Sequence, residues 1–78
     1  MSRYFFDLHN GDGPTVDDEG LELPDRPSVR RQVARLLTDV ARDELPTEDR
    51  AVISVKVRNG EGKVIAVTSL TFDTEWIG

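Results

Sequence analysis

A chain of 78 residues with no cysteine is one small domain that neither disulfides nor thiolate-held zinc can staple, so a well-filled core or self-association must supply its stability. No apolar run approaches the roughly 18 residues that span a bilayer. The opening MSRYFFDLHNG also lacks the apolar stretch of a signal peptide, and the reading is a soluble, cytoplasmic protein. The net charge of −5 is unevenly spread, with seven acids and one base in residues 1–25 but five arginines and three acids in residues 26–45; an acidic surface of this kind argues against a general nucleic-acid binder.

Arg3 to His9 reads as a strand, because three consecutive aromatics favour extended backbone over helix. Alternation puts Tyr4, Phe6 and Leu8 on one face, assigned to the core, and Phe5, Asp7 and His9 on the other. Asn10 to Pro14 is a turn cluster in which Gly11 and Gly13 can take positive φ. Thr15 to Asp17 suits a short strand paired back on the first. Asp18-Glu19-Gly20 makes another turn, and Leu21 and Leu23 alternate with Glu22 in a brief extended segment ending at Pro24.

Asp25 to Leu45 is the one convincing helix. Val29, Val33, Leu36, Leu37 and Val40 recur with a period near 3.6, and Ala41 and Leu45 continue the stripe. Arg31, Arg35, Thr38, Asp39 and Arg42 occupy the opposite face. Asp25 and Ser28 compete as N-cap, Pro27 suits the first turn, and Pro46 disfavours helical geometry at Leu45.

Beyond a loop, Ala51 to Arg58 alternates cleanly, with Ile53, Val55 and Val57 against Val52, Ser54, Lys56 and Arg58. Asn59-Gly60-Glu61-Gly62 is a hairpin turn, and Val64 to Phe72 returns as the last strand. If Gly62 is a left-handed bulge residue, Ile65 and Val67 join the core face. Leu70 and Phe72 then have the wrong parity, which calls for a bulge or bend near Thr68–Ser69. The alternative register swaps the faces. Trp76 and Ile77 form an apolar tail.

The resulting order, β-β-α-β-β, predicts an α+β domain: a small antiparallel sheet of three to four strands with one helix packed on one face, and strand order 2-1-3-4. The whole chain, 1–78, forms one unit.

Several of these pieces occur together in a recognisable order. They are the Arg3-Tyr4-Phe5-Phe6 start, a polar residue and Gly11 after the first strand, and Asp18-Glu19-Gly20-Leu21-Glu22-Leu23-Pro24-Asp25 before a single helix. A glycine-closed hairpin leading into an apolar strand follows. In this the chain resembles a family of small, mostly alphaproteobacterial proteins known as a domain of unknown function. The resemblance covers nearly the whole chain and implies a compact cytoplasmic domain, often standing alone; it points to no particular activity, cofactor or catalytic residue. Arg26 and Pro27 depart from the acidic or small residues more usual in the first helical turn.

Among chemistry-bearing residues, His9 is the lone histidine. Asp7 shares its strand face and Asp12 lies in the following turn, so Asp7, His9 and Asp12 are candidate metal ligands, with Asp17, Asp18 or Glu19 in reach through the hairpin. A calcium-loop pattern is missing, and the plainer reading is a solvated strand end. A His9–Asp7 base and orienter is conceivable, but Ser2, Ser28, Ser54 and Ser69 sit in no nucleophile motif. Gly11 and Gly13 precede a strand, not a helix, and so cradle no phosphate. Arg30, Arg31, Arg35 and Arg42 could meet nucleic acid or an acidic partner, although pairing of Asp39 with Arg35 and Arg42 would make them an ordinary solvated face.

Phe5, Val52 and Trp76 are candidates for an apolar patch on the sheet face away from the helix, unless the C-terminal tail folds over it. The first or the last strand could also present an unpaired edge. The function expected is therefore a non-enzymatic interaction module, without cofactor, that binds a protein partner or itself as a homodimer through Phe5, Val52, Trp76, Arg31 and Arg35. The alternatives are a small-ligand or metal-binding protein using the Asp7/His9/Asp12 end, and a nucleic-acid-associated regulator using the helix arginines.

Overall fold

The computed structural model describes residues 1–10, 13–43 and 49–78. Five strands and one helix follow in the order β1 (Ser2–His9), β2 (Pro14–Thr15), β3 (Leu21–Leu23), α1 (Arg26–Asp43), β4 (Arg50–Arg58) and β5 (Val64–Asp73). The fold is α+β, with one strand more than expected. The addition is β3, the extended Leu21–Leu23 segment, which pairs antiparallel with the start of β1. The long path through the sheet runs β2-β1-β4-β5, as the sequence order predicts.

The core comprises Phe6 from β1, Val29, Val33 and Leu37 from α1, and Ile53, Val55 and Val57 from β4. Tyr4, Leu8, Leu23, Leu36, Val40, Ala41, Leu70 and Phe72 pack around it half-buried. Val55 and Val57 are wholly inaccessible to solvent, because β4 is central and the helix lies over its inner face. Asp25 caps the helix, its Oδ1 accepting from the Ser28 amide at 2.9 Å. The carboxyl of Asp25 is held below its ordinary range by the Ser28 hydroxyl first and the Ser28 amide second. Pro27 therefore sits one residue inside the first turn, where an amide hydrogen is not needed. The expected stop at Leu45–Pro46 lies outside the described residues, as do Gly11 and Asp12.

The β4–β5 hairpin differs from the expected register. Gly62 is left-handed (φ 84°), and its amide donates to the Asn59 carbonyl at 3.0 Å, closing the turn. Arg58 then faces Val64 while Val57 faces Ala66, so the extra residue in the ladder is at Ile65, not near Thr68–Ser69. From there on, Leu70 faces Ile53 and Phe72 faces Ala51 on the core side. Val67 goes outward and is 58% exposed. The parity change needed to bury Leu70 and Phe72 exists, but it is made three residues earlier, beside the turn, where a bulge interrupts less of the ladder. Small Ala66, not a bulky residue, then lies opposite fully buried Val57.

Candidate interaction surface

The outer face of the sheet, away from α1, carries Phe5, Asp7 and His9 from β1, Val52, Ser54, Lys56 and Arg58 from β4, and Val67, Ser69 and Thr71 from β5. At its centre is a polar knot. Arg58 grips Asp7 with two parallel bonds, Nε to Oδ2 at 2.7 Å and Nη2 to Oδ1 at 3.0 Å. The same Nη2 donates to the Asp17 carbonyl at 2.7 Å. The Asp17 amide in turn donates to Asp7 Oδ1 at 3.0 Å. The guanidinium carbon lies 5.0 Å from the centroid of the Phe5 ring, a cation–π distance.

Asp17 works on the opposite side of β1 from β4. Its Oδ2 accepts from the Phe6 amide at 3.1 Å, and its Oδ1 accepts from the amides of Glu19 and Gly20, each at 3.1 Å. A side chain thus supplies the acceptor that a neighbouring strand would give between β2 and β3. Gly20 closes this loop at φ 73°; a Cβ there would lie 2.8 Å from Phe5 Cε2 and 2.9 Å from the Tyr4 carbonyl oxygen. Only glycine fits both the backbone and the space.

The knot sets its own electrostatics. The Arg58 hydrogen bonds, against an opposing desolvation, hold the Asp7 carboxyl below its ordinary range, helped by the Asp17 amide. Desolvation pushes the Asp17 carboxyl up, yet the amides of Gly20, Phe6 and Glu19 together outweigh it and leave the group lowered. Both carboxylates are therefore ionised and fully engaged at neutral pH.

The candidate metal ligands do not converge in the described residues. Asp7 Oδ1 and Oδ2 are taken up by Arg58 and the Asp17 amide. His9 is exposed at the end of β1, opposite Pro14 and Ser54, and Asp12 lies outside the described residues. No group of three or more His, Cys, Asp or Glu side chains among the described residues is placed to hold a metal. One open groove of 440 Å³, lined by residues including Ser2, Tyr4, Arg26 and Asn59, lies at the other end of β1 from His9.

The residues expected to form an apolar patch are dispersed. Phe5 faces Arg58, whereas Val52 is six residues further along β4, about 20 Å away at the rise of a strand. Phe5 is half-buried under Arg58 and against Gly20, so its cover comes from β4 and the Gly20 loop and not from the C-terminal tail. Trp76 is 80% exposed, and its Nε1 donates to Asp49 Oδ1 at 3.0 Å at the far end of β4. Arg31 and Arg35 are exposed on α1; Arg31 donates to the Ser28 hydroxyl, and Asp39 pairs with Arg42 at 3.0 Å rather than with Arg35.

The two edges of the sheet differ sharply. One is broken into the two residues of β2 and the three of β3, interrupted by the Asp17 loop. The other is β5, ten residues long, paired on one side only among the described residues, and uncharged from Val64 to Phe72. Charged side chains are the usual means of blunting such an edge, and on β5 only the terminal Asp73 is charged. The expected strand order 2-1-3-4 already puts the last strand at an edge, and the structure bears that order out. Arg58 as a clamp had no local signal, since its partner is 51 residues away. Asp17 could have been found: an aspartate three residues before a glycine is turn chemistry.

A thin α+β domain, one sheet layer covered by one helix and organised around an Asp–Arg–Asp knot, is the class that this fold and surface define. The chain belongs to the DUF6894 family, a domain of unknown function, whose model matches residues 3–71. No curated protein and no solved structure matches it. Among the described residues no helix is long and apolar enough to cross a membrane.

Proposed function

We propose that this protein is a cytoplasmic, non-enzymatic interaction module whose partner is a second copy of itself. The observation that carries this reading is the open β5 edge. Unpaired backbone N–H and C=O groups along a long apolar strand form a template for another strand, and most sheet proteins break or charge such an edge. Here the opposite edge is broken and β5 is not. Among the described residues seven buried hydrophobic side chains make a small core for a chain without disulfides, so a partner that covers more apolar surface contributes needed stability.

The polar knot supports a structural reading of Asp7. Its carboxylate is occupied within the chain, which leaves His9 without that neighbour as metal ligand or catalytic orienter. The helix arginines give weaker support to nucleic acid, because Arg42 and Arg31 already have partners on the helix. Light scattering during gel filtration, at low and high salt, tests the reading: a dimer at micromolar concentration in both conditions is expected, and a monomer at several hundred micromolar would contradict it.

A further inference from the structure

Resting on self-association as just proposed, we infer that two copies join β5 to β5, antiparallel, about a two-fold axis at Leu70, so that the sheet runs continuously through both. The direction of the backbone groups carries this. The Thr74 amide donates to the Asp49 carbonyl at 2.7 Å, which turns Thr74 inward to β4. In an antiparallel ladder such pairs alternate two by two. With Thr74 facing Asp49, the pairing places Phe72, Leu70, Thr68 and Ala66 inward as well. The other end agrees, because Asn59 donates to the Lys63 carbonyl at 2.9 Å, giving β4 the same inward phase at its odd-numbered residues. Val67, Ser69, Thr71 and Asp73 therefore point their N–H and C=O groups to the open side. The bulge at Ile65 breaks the phase, so the open run starts at Val67.

A second β5 must match outward residues with outward residues and inner face with inner face. Among two-fold registers, centring on Leu70 uses all four outward residues: Val67 meets Asp73, and Ser69 meets Thr71. That closes about eight backbone bonds, two for each pair. Shifting the axis to Ser69 or Thr71 leaves Asp73 or Val67 without an outward partner. On the helix side, half-buried Leu70 then meets its own copy, and half-buried Phe72 meets Thr68. On the outer side, Asp73 lands beside Val67, whose neighbour on β4 is Lys56. The carboxylate thus comes within two strands, about 10 Å, of a lysine of the other copy. Asp73 is already ion-paired with Arg50 of its own chain at 2.9 Å, so hydrogen-bond polarity is what selects this register.

Proline separates the outward amides from the inward ones. Ser69→Pro removes only an outward N–H, so the variant is expected to keep its circular dichroism and cooperative unfolding yet run as a monomer. Thr68→Pro removes a bond to β4 and is expected to unfold. A folded Ser69→Pro that remains dimeric would overturn the β5 interface while leaving self-association intact. A monomeric wild type would overturn both. Should Ser69→Pro fail to fold, cross-linking decides the matter, since the chain has no native cysteine. Ser69→Cys and Thr71→Cys, mixed and oxidised, should give a disulfide-linked dimer at least tenfold faster than either variant alone, because paired residues about 5.5 Å apart suit a disulfide. Equal rates for either variant alone and for the mixture would rule out this register.

Discussion

Asp17 takes the place of a strand. Its carboxylate holds the amides of Phe6, Glu19 and Gly20, and its own amide and carbonyl hold Asp7 and Arg58. Asp17→Asn puts a donor where one of those amides needs an acceptor. A loss of about 1–3 kcal/mol in urea unfolding at pH 7 is expected, the usual cost of an unsatisfied buried donor. The pH dependence has a definite sign. Asp7 and Asp17 both have folded pKa values beneath their ordinary ones. Their contribution is present above the ordinary carboxylate value of about 3.9 and is lost as pH falls through the lower folded values. Unfolding midpoints should therefore drop steeply below about pH 4 in the wild type, and less steeply in Asp17→Asn. Gly20→Ala meets the Phe5 ring and the Tyr4 carbonyl in a left-handed conformation. It should lower stability by about 2 kcal/mol or more in thermal unfolding, and an unchanged midpoint would mean that the loop relaxes freely.

At the scale of elements, α1 was the most legible part of the chain. Its 3.6-residue stripe names the residues that meet the sheet, and Asp25 caps it as its position before Arg26-Pro27-Ser28 suggests. Leu37, 5% exposed, should cost about 2–5 kcal/mol as Leu37→Ala. Arg35→Ala on the outer face should stay within about 0.5 kcal/mol, and chemical denaturation of both variants checks the assignment. The period-two pattern of β4 was equally clear, because a central strand with one covered face must alternate. The β5 register was not, because two apolar pairs of opposite parity, Ile65/Val67 and Leu70/Phe72, compete for one core face. The structure resolves them with a bulge at Ile65, and periodicity cannot say where a bulge falls. The surface residues were least legible. Phe5 and Val52 share a face in the sequence pattern, but their separation along the sheet depends on the β1–β4 register, which no local signal encodes.

The whole molecule is long and thin, 53 × 23 × 20 Å, with a Cα radius of gyration of 14.0 Å. A compact chain of this length would be nearer 12 Å. Such a shape leaves much of the sheet exposed, and the two edges answer that exposure differently. β2 and β3 are short and flanked by acids, whereas β5 offers an uninterrupted apolar edge. Pairing two copies at β5 removes that edge and thickens the half-buried Leu70–Phe72 end of the core. Amide hydrogen exchange, followed residue by residue at low and high protein concentration, tests this most directly. The amides of Val67, Ser69 and Thr71 are expected to exchange rapidly in dilute solution and become protected as concentration rises, while Thr68 and Leu70 stay protected throughout. Rapid exchange at Val67, Ser69 and Thr71 in a concentrated sample would contradict it.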